Sequence, residues 1–97
     1  MVKKDLSKKI EDFIKKSAEK FNLSKVILYG SRARGDNQPR SDIDLAVEGG
    51  DVLNFRFEID EDAPTLLMFD IVDLSEKLNK DFLAEIERDG VILYEKI

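Results

Sequence analysis

The sequence predicts an α/β (α+β) domain, a small mixed β-sheet flanked by helices, and three observations point to it. Apolar residues recur at helical spacing over residues 4–22 and 76–89. Short apolar runs bounded by glycine, proline or acidic residues mark strands at 25–30, 42–48, 63–74 and 91–95. The two kinds of segment alternate along the chain, as they do where helices pack on a sheet. At 97 residues the chain is expected to form one domain, spanning 1–97.

Each element has its own signature. In residues 4–22, Leu6, Ile10, Phe13, Ile14, Ala18 and Phe21 form one stripe with lysines opposite, and Asn22 is a natural stop. "KVILYG" at 25–30 reads as a buried strand closed by Gly30. "SRARG" predicts one or two helical turns between Ser31 and Gly35, and "DNQPRS" a polar loop. "DIDLAVE" alternates and then turns apolar, a second strand. In residues 53–60 strict alternation argues for a strand, while Val52, Phe55 and Ile59 also make a helical stripe; period alone leaves both open. "APTLLMFDIVDL" at 63–74 reads as the third strand. Residues 76–89 read as a helix with Leu78, Phe82, Leu83 and Ile86 inward and Gly90 as its cap. "VILYE" at 91–95 is the last strand, giving the order α-β-α-β-(α)-β-α-β.

Composition removes several chemistries. With no cysteine there is no disulfide, thiolate or Cys-rich zinc site. With no histidine, acid–base work falls to carboxylates, Lys, Tyr or metal-bound water, and a metal would be a hard cation on oxygen ligands, Mg²⁺ or Mn²⁺. No apolar run approaches membrane-spanning length and the N-terminus lacks a leader's apolar core, so the expected location is the cytoplasm, without a membrane partner. The net charge of −5 is polarised: residues 1–41 hold 11 Lys/Arg against five Asp/Glu, residues 42–97 five against 16. Direct nucleic-acid binding is not expected of so acidic a chain, whereas the acidic portion suits a basic protein partner.

The chemistry concentrates in "GSRARGDNQPRSDIDLAV", residues 30–47. Asp42 and Asp44 stand at i and i+2 at the start of a strand, so their carboxylates share a face. A lone D-x-D is ordinarily a solvated strand end; two carboxylates so placed also hold Mg²⁺ beside phosphate oxygens. Gly30-Ser31 after a strand is ordinarily a plain helix cap, but it also offers an anion free amides, close backbone approach and a hydroxyl. Arg32 and Arg34 add positive charge suited to phosphate. Asp70 interrupts an apolar run, where an unpaired carboxylate is costly; Asp73 competes for the same role from the opposite face, nearer the end of the run. Together these residues match in-line phosphoryl displacement clamped by two divalent ions.

Gly30-Ser31, ten residues, then Asp42-Ile43-Asp44 resembles the signature of the DNA polymerase β-like nucleotidyltransferase superfamily. The resemblance is to its minimal nucleotidyltransferase (MNT) family, of the antitoxin type, and continues through "PTLLMFDIVDL" to "RDGVILYE". It implies a small mixed sheet with packed helices and makes residues 51–62 helical. It implies metal-binding and catalytic roles for Asp42, Asp44 and Asp70, and nucleotide-phosphate contacts from Gly30, Ser31 and Arg32. It implies Mg²⁺, two ions, with ATP as substrate and AMP passed to a hydroxyl. Larger relatives carry a second, helical domain that these 97 residues do not contain, so a separate helical partner is implied. The resemblance implies that this partner is a HEPN-domain protein, a toxin whose tyrosine would receive AMP. The residues leave open a catalytically idle module that neutralises its partner by occlusion, a small-molecule nucleotidyltransferase, and homo-oligomerisation.

Overall fold

The register of three strands decides what this fold exposes, and the apolar residues decide the register. The computed structural model describes residues 4–97; residues 1–3, which begin the lysine-rich N-terminal stretch, lie outside the description. Eight elements follow in the order α1 (Lys8–Lys20), β1 (Lys25–Tyr29), α2 (Ser31–Arg34), β2 (Ile43–Glu48), α3 (Val52–Asp62), β3 (Phe69–Asp73), α4 (Lys80–Asp89) and β4 (Val91–Glu95). The sheet order is β3-β2-β1-β4. β1 is antiparallel to both β2 and β4, and β2 is parallel to β3 with α3 as the crossover.

One sheet face carries Val26, Leu28, Ile43, Leu45, Val47 and Leu93, all buried against Ile10 and Ile14 of α1 and Phe55 and Ile59 of α3. The other face carries Tyr29 and Ala46, which pack with Ile86 of α4 and the flanking Ile27, Val72 and Phe82. Strand alternation divides the two sets, because successive side chains point to opposite faces. Ser7 caps α1, its hydroxyl accepting from the Ile10 amide at 3.3 Å. The Ser17 hydroxyl and Lys20 Nζ each donate to the Glu58 carboxylate at 2.5 Å, tying α1 to α3. α1 gives way at Asn22, whose φ of 59° is a left-handed conformation that asparagine tolerates.

Three expectations need correction, and the helix that the resemblance implies for 51–62 is present as Val52–Asp62. The first helix begins at Lys8 rather than residue 4, because Ser7 caps it there. The alternating stretch at 53–60 is a helix. A strand would put Leu53, Phe55 and Phe57 on one face, but Phe55 is fully buried while Leu53 and Phe57 are 63% and 59% exposed. The third strand covers only Phe69–Asp73, not 63–74. Around Pro64 the chain turns: the Thr65 amide donates to the Ala63 carbonyl and the Leu67 amide to Thr65 Oγ1. The last helix starts at Lys80, where Asn79 accepts from the Asp81 amide at 2.7 Å, so Leu78 precedes it and Leu83 faces solvent.

Substitutions in α3 test this packing. Phe55→Ala should lower the unfolding free energy by about 3–5 kcal/mol. Leu53→Ser and Phe57→Ser should each stay within about 0.5 kcal/mol of wild type in urea titrations. Equal losses at all three positions would mean the segment packs as a strand.

Candidate active site

Hydrogen-bond register sets three side chains abreast at one end of the sheet. Tyr29, the last residue of β1, lies opposite Asp44 in β2, and Asp44 lies opposite Asp70 in β3. Adjacent strands are about 4.8 Å apart, and residues in such a row share a face. Asp42, two residues before Asp44, projects to that face as well. The residues between them, Ile43 and Leu45, go to the core. Asp73 lies opposite Val47, in the parity of the core face, and its carboxylate accepts from the Ser75 amide at 2.9 Å and hydroxyl at 2.7 Å. Those bonds hold Asp73 below the usual carboxylate range and occupy it in its own turn.

Gly30 follows Tyr29 with φ 75° and ψ −157°, a conformation open in practice only to glycine. A methyl group there would collide with the Asp44 carboxylate, so the backbone of the turn lies directly against the acid. The Gly30 carbonyl accepts from the amides of Ala33 and Arg34, both at 3.1 Å. The amides of Ser31 and Arg32 find no backbone acceptor among the described residues, which is the ordinary state of a helix's first amides and leaves them for an anion. Gly35, at φ 84°, ends the turn.

The two arginines of the turn have different fates. Arg32 is 5% exposed, and its guanidinium donates to the carbonyls of Ser41 (3.0 Å), Pro39 (3.0 Å) and Asp5 (3.2 Å). Its donors are thus turned to the loop that delivers Asp42, and the structure does not gather it with the carboxylates. Arg34 is exposed, paired with Asp36 at 3.1 Å and Asp89 at 3.5 Å, and its charge acts on Asp44.

Asp44 is the electrostatic centre. Burial, then the charges of Asp70, Asp42 and Glu85, push its pKa up to about 6 against the opposing pull of Arg34. Burial, then the charges of Asp70, Asp44 and Glu85, hold the Tyr29 hydroxyl far above its usual value. Asp42, Asp44 and Asp70 neither accept a hydrogen bond nor form an ion pair among the described residues. Nor do any three acidic groups there stand together as a group that could hold a metal ion by themselves. That donor set fits Mg²⁺, which takes one or two carboxylates and completes its shell with water and substrate phosphates. Tyr29 and Glu85 are members of this environment that sequence reasoning missed. Tyr29 was legible from its parity with Lys25 and Ile27; Glu85 depends on how α4 docks, through Phe82 meeting Tyr29 edge-on at 5.4 Å.

A glycine–serine turn thus lies beside a row of carboxylates on a small mixed sheet, an arrangement suited to a nucleotide's phosphates and a hard cation. Residues 8–97 match the family model described as polymerase beta, nucleotidyltransferase, and the chain belongs to that family. A protein of Methanocaldococcus jannaschii, provisionally named a protein adenylyltransferase, is 32% identical over 90% of this chain and 96% of its own length. Among solved structures, a mutant of the toxin–antitoxin pair MntA–HpeT superposes with a TM-score of 0.69 at 25% identity, covering 89% of this chain and 73% of that one. The MNT antitoxin in complex with a tri-AMPylated HEPN toxin of Shewanella oneidensis has the same fold: TM-score 0.61, 22% identity, 90% of this chain and 71% of that one. These findings make the chain a nucleotidyltransferase of the MNT type.

Two outcomes follow from the geometry. Because Asp44 titrates higher in the fold than the ordinary 3.8, its contribution to stability is complete below about pH 4 and lost as pH rises through about 6. Asp44→Asn should therefore melt higher than wild type at about pH 8, and the gap should close at about pH 3.5. A melting difference that does not change with pH would contradict this. Gly30→Ala should cost about 1–3 kcal/mol, from its backbone conformation alone, in chemical denaturation.

Proposed function

We propose that this chain is a Mg²⁺-dependent adenylyltransferase that transfers AMP from ATP to a protein hydroxyl, a tyrosine of a HEPN-type partner, and acts in the cytoplasm as an antitoxin. The observation that carries the reading is the row of Asp44 and Asp70, with Asp42 beside it, against the Gly30–Ser31 turn. The provisional name of the Methanocaldococcus relative and the AMPylated toxin beside the Shewanella antitoxin support the acceptor class.

In this reading the Gly30–Ser31 turn receives the β- and γ-phosphates on the free amides of Ser31 and Arg32 and on the Ser31 hydroxyl. Asp42, Asp44 and Asp70 would hold the metal, two Mg²⁺ ions, which when bound would supply charge neutralisation on the transferring phosphoryl group. The acceptor oxygen attacks the α-phosphorus, the bond to the bridging oxygen breaks, and pyrophosphate leaves. Asp70, on the sheet's edge strand, takes the hydroxyl proton. Arg32 positions the loop that carries Asp42, while Arg34 is the cation whose charge acts on Asp44. Among the described residues no helix is long and apolar enough to cross a membrane.

The test is label transfer from α-phosphate-labelled ATP with Mg²⁺ and a HEPN-domain protein encoded beside this chain. Wild type should label the partner, and Asp42→Asn or Asp44→Asn should reduce labelling about a hundredfold or more. Full activity in either variant would remove the mechanism. Neutralisation of the partner by an inactive variant would show instead that occlusion suffices.

A further inference from the structure

The chain leading into β3 borders a groove of about 640 Å³ that none of the roles above uses. It is lined by Arg40, Thr65, Leu66, Leu67 and Met68. Its lining is joined through the backbone to the strands that carry the carboxylates: the Ile43 amide, next to Asp42, donates to the Met68 carbonyl at 2.9 Å, and Asp70 follows Met68 two residues on. Two of its apolar side chains face solvent, Leu66 fully and Met68 at 69%. Arg40 is exposed beside them. Of the five arginines, Arg32, Arg34, Arg56 and Arg88 are each engaged, while Arg40 makes no hydrogen bond or ion pair among the described residues.

In-line displacement sets what can occupy this groove. The attacking and leaving oxygens lie on opposite sides of the phosphorus. With the leaving pyrophosphate on the Gly30–Ser31 turn beyond β1, the attacking oxygen arrives from the β3 side. β3 is an edge of the sheet, so that side is open, and the groove lies along it. Apolar walls with a free guanidinium at the rim suit an aromatic side chain with an acidic neighbour, by burial, cation–π attraction and charge pairing.

We infer that this groove is the acceptor subsite, receiving a tyrosine-bearing peptide segment of the target protein with a carboxylate next to the tyrosine and pairing with Arg40. The inference rests on the adenylyltransferase reading for its chemistry, but peptide recognition is measurable without transfer.

The experiment uses the full chain with Mg²⁺ and an ATP analogue bearing a methylene between the α- and β-phosphates, which cannot transfer. Fluorescence anisotropy compares two labelled peptides, each with a tyrosine beside a leucine, one flanked by glutamate and one by lysine. The glutamate peptide should bind roughly three- to fivefold tighter. Arg40→Glu should invert that preference, and Leu66→Ser should weaken both peptides alike. Analogue affinity should be the same in all three proteins. Equal binding of the two peptides by wild type, or a preference that survives Arg40→Glu, overturns the inference. A fall in analogue affinity matching the fall in peptide affinity also overturns it, by giving the groove to the nucleobase. Label transfer from ATP to the peptides is scored separately: a charge preference without any transfer would leave the groove a peptide site and remove the adenylyltransferase reading.

Discussion

Everything at the site depends on the register of β1, β2 and β3, which the apolar core enforces. Ile43, Leu45 and Val47 are fully buried on one face, so the alternate positions must open to the other. A slip of one residue would send every side chain of β2 to the wrong face, exposing the core and burying Asp44 in it. Hydrophobic burial of the odd positions thus compels two acids of the even positions, Asp44 and Asp70, to sit side by side. Their mutual repulsion is small beside the cost of slipping the strand, so the fold tolerates it. The residue of that conflict is the raised pKa of Asp44.

The turn after β1 completes the arrangement. Glycine at position 30 lets the backbone lie against the Asp44 carboxylate, and α2 follows with its first amides free of backbone acceptors among the described residues. Arg32, buried under two carbonyls of the loop between α2 and β2 and a third from Asp5 near the N-terminus, fastens that loop. The acidic side of the site is therefore held by strands and its Gly30–Ser31 side by a turn, with one buried arginine fastening the loop that joins them. The polarised charge of the chain follows the same division, with residues up to 41 basic and those after it acidic.

How much of this was legible depends on the range over which each feature is determined. The strands and their parity were legible because alternation is local, and parity separates Asp70 from Asp73. Residues 53–60 were not, since their alternation satisfies two periods; only docking of Phe55 and Ile59 under the sheet decides for a helix. The extent of the third strand was overread because "TLLM" is apolar, although Leu66 and Met68 face solvent. The setting of Arg32 was hidden because the carbonyls it meets belong to Asp5, Pro39 and Ser41, brought together only by the fold. Glu85 was hidden for the same reason, since its influence on Asp44 requires α4 to lie on the sheet.

The central claim is that the carboxylate face is a cation site completed by a nucleotide's phosphates. Electron paramagnetic resonance of Mn²⁺ measures this directly, because the free-ion signal falls as the ion binds. The account predicts weak Mn²⁺ binding by the protein alone, tightened by about tenfold or more when the α,β-methylene ATP analogue is added. Asp44→Asn should abolish that gain. Mn²⁺ affinity that is indifferent to the nucleotide, or to Asp44, would contradict the account.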